Sequence, residues 1–212
     1  MIKKQKHKYD TILLFGPPGV GKSTQAKLLD KKRFVYISSG EVLRRNEKNT
    51  KFRNSTLGKR VSKIMSSGKL IPNKIMIDIF LQTIKEYISR KIFNPKKQIL
   101  VLDGIPRNRS QARIINNIFN IIKIIYIYSH NDSRLADRIL KRAKKEGRSE
   151  DQNMNIIRKR LAIYKKETNK VLDYYHKKII LKINGFNDIK KIQGQIKDSL
   201  NNTNLEKIIK NC

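Results

Sequence analysis

The chain has 212 residues and a formal net charge of +32 at pH 7. This length suits one domain with a sizeable core and small insertions. Its single cysteine, Cys212, excludes a disulfide framework and a zinc site made of cysteines. No apolar stretch is long enough to span a membrane, and the first residues lack the apolar segment of a signal peptide, so we predict a cytoplasmic protein.

The positive charge is spread along the whole chain. Nucleic-acid binders cluster their charge on one face with aromatic side chains between, whereas aromatic residues make up only 7% of this sequence. Lys, Ile and Asn have AT-rich codons, and their abundance suggests mutational bias as the origin of the charge. We therefore predict only nonspecific binding of nucleic acid at low salt. A basic nucleic-acid-binding protein stays open as an alternative of another class.

The first predicted element is a buried strand that runs into a glycine-rich loop. Residues 12–15 form an apolar run, which is typical of a strand in a parallel sheet, and we predict this strand at 11–15. Residues 16–23 match the phosphate-loop pattern G-x-x-x-x-G-K-[ST], in which glycines let successive N–H groups point at one anion. Lys22 can reach the outer phosphates, and Ser23 or Thr24 can bind Mg²⁺ or a phosphate oxygen.

Helices dominate the next part of the chain. A helix predicted at 22–32 directs its positive end at the phosphates. After a short strand at 34–37, Ser39 is expected to cap a helix. Helical spacing of apolar residues follows at 53–67, and a further helix is predicted at 73–90.

A carboxylate ends the third predicted strand, 98–102. In open α/β sheets, the carboxyl ends of parallel strands face the ligand site, and Asp103 follows this strand directly. In a phosphate-loop protein such an aspartate is the expected second anchor for Mg²⁺. By itself it is equally consistent with a simple turn.

The second half of the chain repeats the alternation of strand and helix. A helix at 110–119 precedes the strongest predicted strand, 121–128, whose β-branched residues favour an interior position in the sheet. The next helix carries three arginines on one face, a spacing that is usually typical of a solvated surface. A long helix is expected to open at 149–151, followed by a strand at 178–183 and a last helix at 187–200. The chain thus predicts an α/β fold, a five-stranded parallel sheet wound with helices on both sides.

Several segments, taken in order, carry a more specific pattern. They are Gly-Pro-Pro-Gly-Val-Gly-Lys-Ser-Thr-Gln at 16–25, Ile-Ser-Ser-Gly-Glu-Val-Leu-Arg at 37–44, and Leu-Asp-Gly-Ile-Pro-Arg at 102–107 with Gln111-Ala. Arginines at 142, 148 and 160 complete the set. Over nearly its full length the chain resembles the adenylate kinase family of nucleoside monophosphate kinases, which have the P-loop NTPase fold.

The resemblance implies reversible, Mg²⁺-dependent transfer of the ATP γ-phosphoryl group to AMP, giving two ADP. The implied ATP-binding residues are Gly16, Pro17, Pro18, Gly19, Val20, Gly21, Lys22, Ser23, Thr24, Arg138 and Arg142. The implied AMP-binding residues are Ser39, Gly40, Arg44, Lys69, Ile71, Gly104, Arg107 and Gln111. The implied catalytic residues are Lys22, Asp103, Arg107, Arg142, Arg148 and Arg160. Ser23 and Asp103 are expected to hold Mg²⁺, Asp103 through water.

The resemblance also divides the chain. It implies a core at 9–38, 72–140 and 153–200, with an arm at 39–71 that binds the nucleoside monophosphate and a short lid at 141–152. Residues 201–212 are expected to form a loose tail. The chain between Arg148 and Arg160 is one residue longer than the family spacing, which a loop before the helix could absorb. We expect a monomer that uses no zinc.

Two polar residues bear on the choice of monophosphate. The amide of Gln111 can pair with the N1 and N6 edge of adenine, donating and accepting at once. Family members that act on UMP or CMP tend to have Asn at this position and Ala at that of Ser39, although they share the short lid. The sequence therefore favours AMP, with a UMP/CMP kinase as the alternative.

Overall fold

The computed structural model describes residues 8–148 and 151–203. Within them a parallel sheet of five strands has the order β2-β3-β1-β4-β5. The strands are β1 Tyr9–Phe15, β2 Phe34–Ser38, β3 Ile99–Asp103, β4 Phe119–Tyr128 and β5 Ile180–Asn184. The predicted sheet, with its five strands, is confirmed. Strand β4 is an interior strand, as its composition predicts, and β1 occupies the centre.

Helices connect the strands and cover the sheet. The α-helices are α1 Lys22–Lys27, α2 Ser39–Lys48, α3 Thr50–Asn54, α4 Thr56–Ser66, α5 Asn73–Ser89, α6 Arg109–Asn116, α7 Asp132–Glu146, α8 Met154–Ile163 and α9 Ile189–Asn201. A π-helical turn, Tyr164–Thr168, and a 3₁₀ segment, Asn169–Tyr174, follow α8. None of the described helices is both long and apolar enough to cross a membrane.

The core consists of two apolar layers, one on each face of the sheet. Side chains alternate along a strand, so Leu13 and its neighbour Leu14 enter different layers. Leu13 belongs to the same apolar layer as Phe80 of α5, whereas Leu14 belongs to the layer that contains Ile139 of α7. Because both layers are closed by helices, the prediction of helices on both sides of the sheet is confirmed.

Several predicted helix limits are wrong. The first helix ends at Lys27 because Asp30 forms a turn, in which its carboxylate accepts a hydrogen bond from the Lys32 N–H. The helix predicted at 53–67 is interrupted at Ser55, whose hydroxyl caps α4 by accepting from the Gly58 N–H. The helix predicted to reach residue 119 ends earlier, since Phe119 already pairs with β1.

The region around residue 150 also differs from prediction. Helix α8 begins at Met154, and the side chain of Asn153 caps it. Asp151 therefore lies before this helix instead of opening it. Ser149 and Glu150 lie outside the described residues, as do 1–7 and 204–212, which include Cys212 and most of the predicted tail.

Candidate active site

A cavity of about 520 Å³ opens at the carboxyl ends of the parallel strands, where open α/β sheets bind their ligands. It brings together most of the predicted site residues, namely Gly16, Pro18, Gly19, Val20, Gly21, Lys22, Ser23, Thr24, Ser39, Gly40, Arg44, Asp103, Gly104, Arg107, Arg138, Arg142, Arg148 and Arg160. A smaller cavity of about 60 Å³ is lined by Gly40, Arg44, Lys69, Ile71, Arg107, Gln111 and Arg160, together with apolar residues. Of the predicted residues, only Pro17 lines neither of these two cavities.

The glycine-rich loop between β1 and α1 holds the side chain of Lys22 at the cavity. Gly19 has a φ of +80°, and a Cβ there would lie 2.8 Å from the carbonyl oxygen of Leu135, so the loop path requires glycine. The ammonium of Lys22 donates to the carbonyl oxygens of Gly16, at 2.9 Å, and Pro17, at 3.1 Å. These contacts hold the ammonium beside the first residues of the loop.

Burial lowers the pKa of Lys22, since desolvation disfavours its charged form. Asp103 raises this pKa, with its Oδ1 atom 3.8 Å from Nζ, whereas Arg107, Arg142 and Arg160 lower it further. The cavity therefore concentrates positive charge around Lys22. An anionic ligand would relieve this repulsion.

Asp103 ends β3 with its carboxylate nearly buried. The phenol of Tyr36, on the neighbouring strand β2, donates to its Oδ2 atom at 3.0 Å. Burial, and then the charge of Asp103, raise the pKa of Tyr36, so the phenol remains a donor. Carboxylate and hydroxyl oxygens suit Mg²⁺, and Ser23 lines the same cavity.

The described residues contain no group of three or more His, Cys, Asp or Glu side chains that could hold a metal ion. Mg²⁺ at Asp103 would therefore take most of its ligands from phosphates and water, as this ion commonly does. The absence of zinc stays a prediction.

Arg107 lies between the two cavities. Its Nε atom donates to the carbonyl oxygen of Gly104 at 2.8 Å, and its Nη2 atom approaches the hydroxyl of Ser39 at 3.3 Å. Burial lowers the pKa of Arg107, Asp103 raises it, and the nearby charge of Arg44 lowers it. Two guanidiniums close enough to influence each other in this way favour a phosphate between them.

The prediction that Ser39 caps α2 is wrong. Ser38 is the capping residue, and its hydroxyl accepts from the Glu41 N–H. Ser39 is the first residue of the helix and is buried, with its own hydroxyl donating to the carbonyl oxygen of Gly104 at 3.0 Å. Because of this shift, the Ser39 side chain reaches the site instead of the helix end.

Asp151 forms ion pairs with several of the arginines that line the main cavity. Its carboxylate is fully buried and accepts hydrogen bonds from Arg160 and, at 2.7 Å, from Arg142. The Nη1 atom of Arg148 lies 4.0 Å from the same carboxylate, and Arg148 also pairs with Glu146. One carboxylate thus holds three arginines in a common cluster. Arg148 and Arg160 thus both reach this cluster, and that the loop between them absorbs the extra residue stays a prediction.

Arg138, which also lines the main cavity, packs on an aromatic ring. Its Cζ atom lies 4.3 Å from the centroid of the Phe186 ring, and that of Arg134 lies 4.0 Å from it. Arg138 also donates to the carbonyl oxygen of Gly185 at 3.1 Å. Arg138 therefore contacts the loop that follows β5.

Sequence reasoning missed Tyr36, Asn73, Asp151 and Phe186 as parts of this site. Phe186 could have been found, because it follows the carboxyl end of a predicted strand. The sequence pattern around Asp151 indicates only the start of a helix. No sequence signal pointed to Asn73 or Tyr36, whose contacts depend on which elements lie side by side.

Comparisons with known proteins agree with this geometry. The profile of the family described as Adenylate kinase matches residues 14–180. An adenylate kinase of Prochlorococcus marinus is 34% identical over 195 residues, covering 89% of this chain and 97% of that protein. An adenylate kinase of Azobacteroides pseudotrichonymphae is 33% identical, covering 90% of this chain and 97% of that protein. One of Thermus thermophilus is 30% identical, covering 89% of this chain and 96% of that protein. The chain belongs to the adenylate kinase family.

Proposed function

We propose that this protein is an ATP:AMP phosphotransferase, which converts ATP and AMP reversibly into two ADP with Mg²⁺ as the cofactor of ATP. The observation that carries the proposal is one cavity with a phosphate loop at one side and the Arg44–Arg107 pair at the other. The arginine cluster around Asp151 borders the same cavity. Such an arrangement suits two phosphate-bearing substrates that meet end to end.

The phosphate-loop side would bind ATP. The backbone N–H groups of residues 19–24 and the ammonium of Lys22 would hold its phosphates. For this, Lys22 would exchange its present contacts with carbonyl oxygens of the loop. Arg138 lines the same cavity and packs on Phe186 of the loop after β5, and we assign Arg138 to the adenine of ATP. Ser23 and Asp103 would hold Mg²⁺, Asp103 through water. When bound, this ion neutralises charge on the β- and γ-phosphates.

The other side would bind AMP. Arg44 and Arg107 would take its phosphate, since guanidinium groups match phosphate geometry. The space for the rest of the monophosphate is lined by Ser39, Gly40, Lys69, Ile71, Gly104 and Gln111. Of these, Gln111 would recognise the base. An oxygen of the AMP phosphate would then attack the γ-phosphorus, and the bond to the β-phosphate oxygen would break, releasing ADP from each side.

Arginines would stabilise the phosphoryl group during transfer. Arg142, Arg148 and Arg160 converge through Asp151, and each lines the main cavity. Phosphoryl transfer requires positioning and neutralisation of charge more than covalent chemistry, which such a cluster supplies. This protein would therefore need no nucleophilic side chain.

We also propose the division into a core at 9–38, 72–140 and 153–200, an AMP-binding arm at 39–71 and a short lid at 141–152. Three short helices, α2 to α4, occupy most of the arm and lie between β2 and α5. The lid would contain the end of α7 and the loop that bears Asp151. Closure of arm and lid would exclude water, so that ATP is not hydrolysed.

The alternatives have less support. Relatives named adenylate kinase favour AMP over UMP or CMP as acceptor. A role as a basic nucleic-acid-binding protein would leave the convergence of phosphate loop and arginines without a use. A cytoplasmic location and a monomeric state remain predictions.

A coupled assay of diphosphate formation from ATP and Mg²⁺ tests the proposal, with AMP, UMP, CMP and GMP offered separately. We expect turnover with AMP far above that with the others. Turnover with UMP or CMP instead would keep the reaction class and overturn the acceptor. No turnover with any of the four would overturn the proposed function.

A further inference from the structure

Gln111 belongs to a closed network of side-chain amides beside the smaller cavity. The side chain of Gln111 is buried, and it lines this cavity. Its Oε1 atom accepts from the backbone N–H of Arg107 at 2.7 Å. Its Nε2 atom donates to Oδ1 of Asn73 at 3.1 Å. The same Asn73 oxygen accepts from Nδ2 of Asn108 at 2.9 Å.

Backbone donors determine the orientation of every amide in this network. A backbone N–H can only donate, so the atom of Gln111 that faces the Arg107 N–H must be oxygen. The backbone N–H of Gln111 donates to Oδ1 of Asn108 at 2.9 Å. The side-chain amino group of Asn108 must therefore face Asn73. Asn73 must then present oxygen to two amino groups. None of the three amides can rotate by 180° without two donors or two acceptors facing each other.

A locked amide distinguishes two classes of base. Beyond the bonds described, Nε2 has a second hydrogen and Oε1 a second lone pair, which an incoming base can use. Adenine presents an amino group beside a ring nitrogen acceptor, which matches an amide oxygen beside an amide N–H. Hypoxanthine presents a keto oxygen beside a ring N–H, and this edge would match only the rotated amide.

We propose that Asn73 is a specificity-determining positioning residue, which locks Gln111 in the orientation that accepts an amino base and rejects a keto base. The inference rests on the proposed function, in which the smaller cavity receives the base of the acceptor monophosphate. Asn73 does not line that cavity and acts through Gln111. The acceptor class is thereby narrowed to monophosphates whose base carries an amino group beside a ring nitrogen acceptor.

AMP and IMP are the matched pair of acceptors for the test, because they differ only in the base edge that the amide distinguishes: an amino group beside a ring nitrogen acceptor in AMP, and a keto oxygen beside a ring N–H in IMP. The variant Asn73→Ala removes the shared oxygen, so that only the Arg107 N–H still favours one orientation. Asn73→Asp is the matched control, since its carboxylate accepts from both amino groups, and a negative charge is favourable at the first turn of α5. Thermal unfolding checks that each variant folds.

We expect Asn73→Ala to reduce the ratio of kcat/KM for AMP to that for IMP by about tenfold, the value of one hydrogen bond. Asn73→Asp should leave this ratio within about twofold of the unaltered protein. A ratio unchanged in Asn73→Ala, or reduced equally in both variants, would overturn the role of Asn73. If Asn73→Ala does not fold, Asn73→Ser replaces it. The serine oxygen lies one bond closer to the backbone than Oδ1 of asparagine, so it should not reach the amino group of Gln111.

Calorimetric titration with AMP and with IMP separates this inference from the proposed function. Should the unaltered protein transfer no phosphoryl group to AMP, the proposed function fails. The dissociation constants for the two monophosphates in the unaltered protein and in both variants would still decide whether Asn73 controls the choice between them. The same reduction of about tenfold is expected in that ratio.

Discussion

The phenol of Tyr36 donates a hydrogen bond to Oδ2 of Asp103 over 3.0 Å. Asp103 pairs with Ser38 in the parallel register of β2 and β3, so Tyr36 is its diagonal neighbour on one face of the sheet. The other carboxylate oxygen lies 3.8 Å from Nζ of Lys22. The carboxylate that we assign to Mg²⁺ thus has a donor or a cation near each of its oxygens, and its orientation follows from the strand register.

Tyr36→Phe tests whether this orientation matters for the metal. The change keeps the ring and removes the donor, so the carboxylate should hold hydrated Mg²⁺ less well. We expect the Mg²⁺ concentration for half-maximal activity to rise about tenfold, the lower end of the contribution of one hydrogen bond to a charged group. Titration of activity with Mg²⁺ at constant ATP measures it, and electron paramagnetic resonance of Mn²⁺ bound with ADP gives a readout independent of turnover.

Tyr126→Phe is the matched control for this experiment. The hydroxyl of Tyr126 donates to Asn169, and Tyr126 lines neither cavity. Its loss should leave the requirement for Mg²⁺ unchanged. If Tyr36→Phe behaves in the same way as this control, Asp103 does not depend on Tyr36 for its orientation.

Asp151→Asn should impair both stability and catalysis. The substitution keeps the volume of a fully buried side chain and removes the charge that holds Arg142 and Arg160. Breaking a buried ion pair costs about 3–5 kcal/mol of unfolding free energy, and we expect about 3 because both arginines are partly exposed. Urea unfolding measures this cost, while kcat should fall more than KM changes.

Asp173→Asn serves as the control for the loss of an aspartate charge. Asp173 pairs with Arg109 at 4.0 Å, and both side chains are largely exposed. Exposed pairs of this kind contribute little to stability. An equal effect of the two substitutions would show that the Asp151 cluster has no special role.

The sequence predicted the sheet and the residues around the main cavity because these features depend on local patterns. Apolar runs mark buried strands, and the phosphate loop at 16–23 needs its residue types at fixed spacing. Helix limits were less predictable, since Ser38 and Ser39 are equally suitable caps by type. In the fold the Ser39 hydroxyl instead donates to the carbonyl oxygen of the distant Gly104, and Ser38 is the cap.

The sequence did not predict side-chain contacts between segments that are distant along the chain. The bond from Gln111 to Asn73 joins α6 to α5, and that from Tyr36 to Asp103 joins β2 to β3. Side-chain pairs of this kind follow from strand order and helix packing, which residue patterns do not specify.

Lys22→Ala should abolish phosphoryl transfer while the protein stays folded. Removal of the ammonium loses its contact with Asp103 but relieves desolvation and the repulsion from three arginines, so it should cost little stability in the absence of ligand. The coupled assay measures the loss of turnover, and circular dichroism checks the fold. Lys32→Ala, at an exposed lysine in the turn after α1, is the control that should retain turnover. Near-normal turnover in Lys22→Ala would contradict the assignment of the phosphate loop as the ATP site.

Gln111→Asn should weaken the preference for AMP over UMP. The shorter side chain withdraws its amide by one methylene, so it cannot keep its bonds to Arg107 and Asn73 and also reach a base in the smaller cavity. We expect the AMP to UMP ratio of kcat/KM to fall by about tenfold, as for the loss of one hydrogen bond. Gln193→Asn controls for shortening a buried glutamine, because Gln193 bonds to the Leu28 carbonyl oxygen, away from the smaller cavity. An unchanged ratio in Gln111→Asn would mean that other residues read the base.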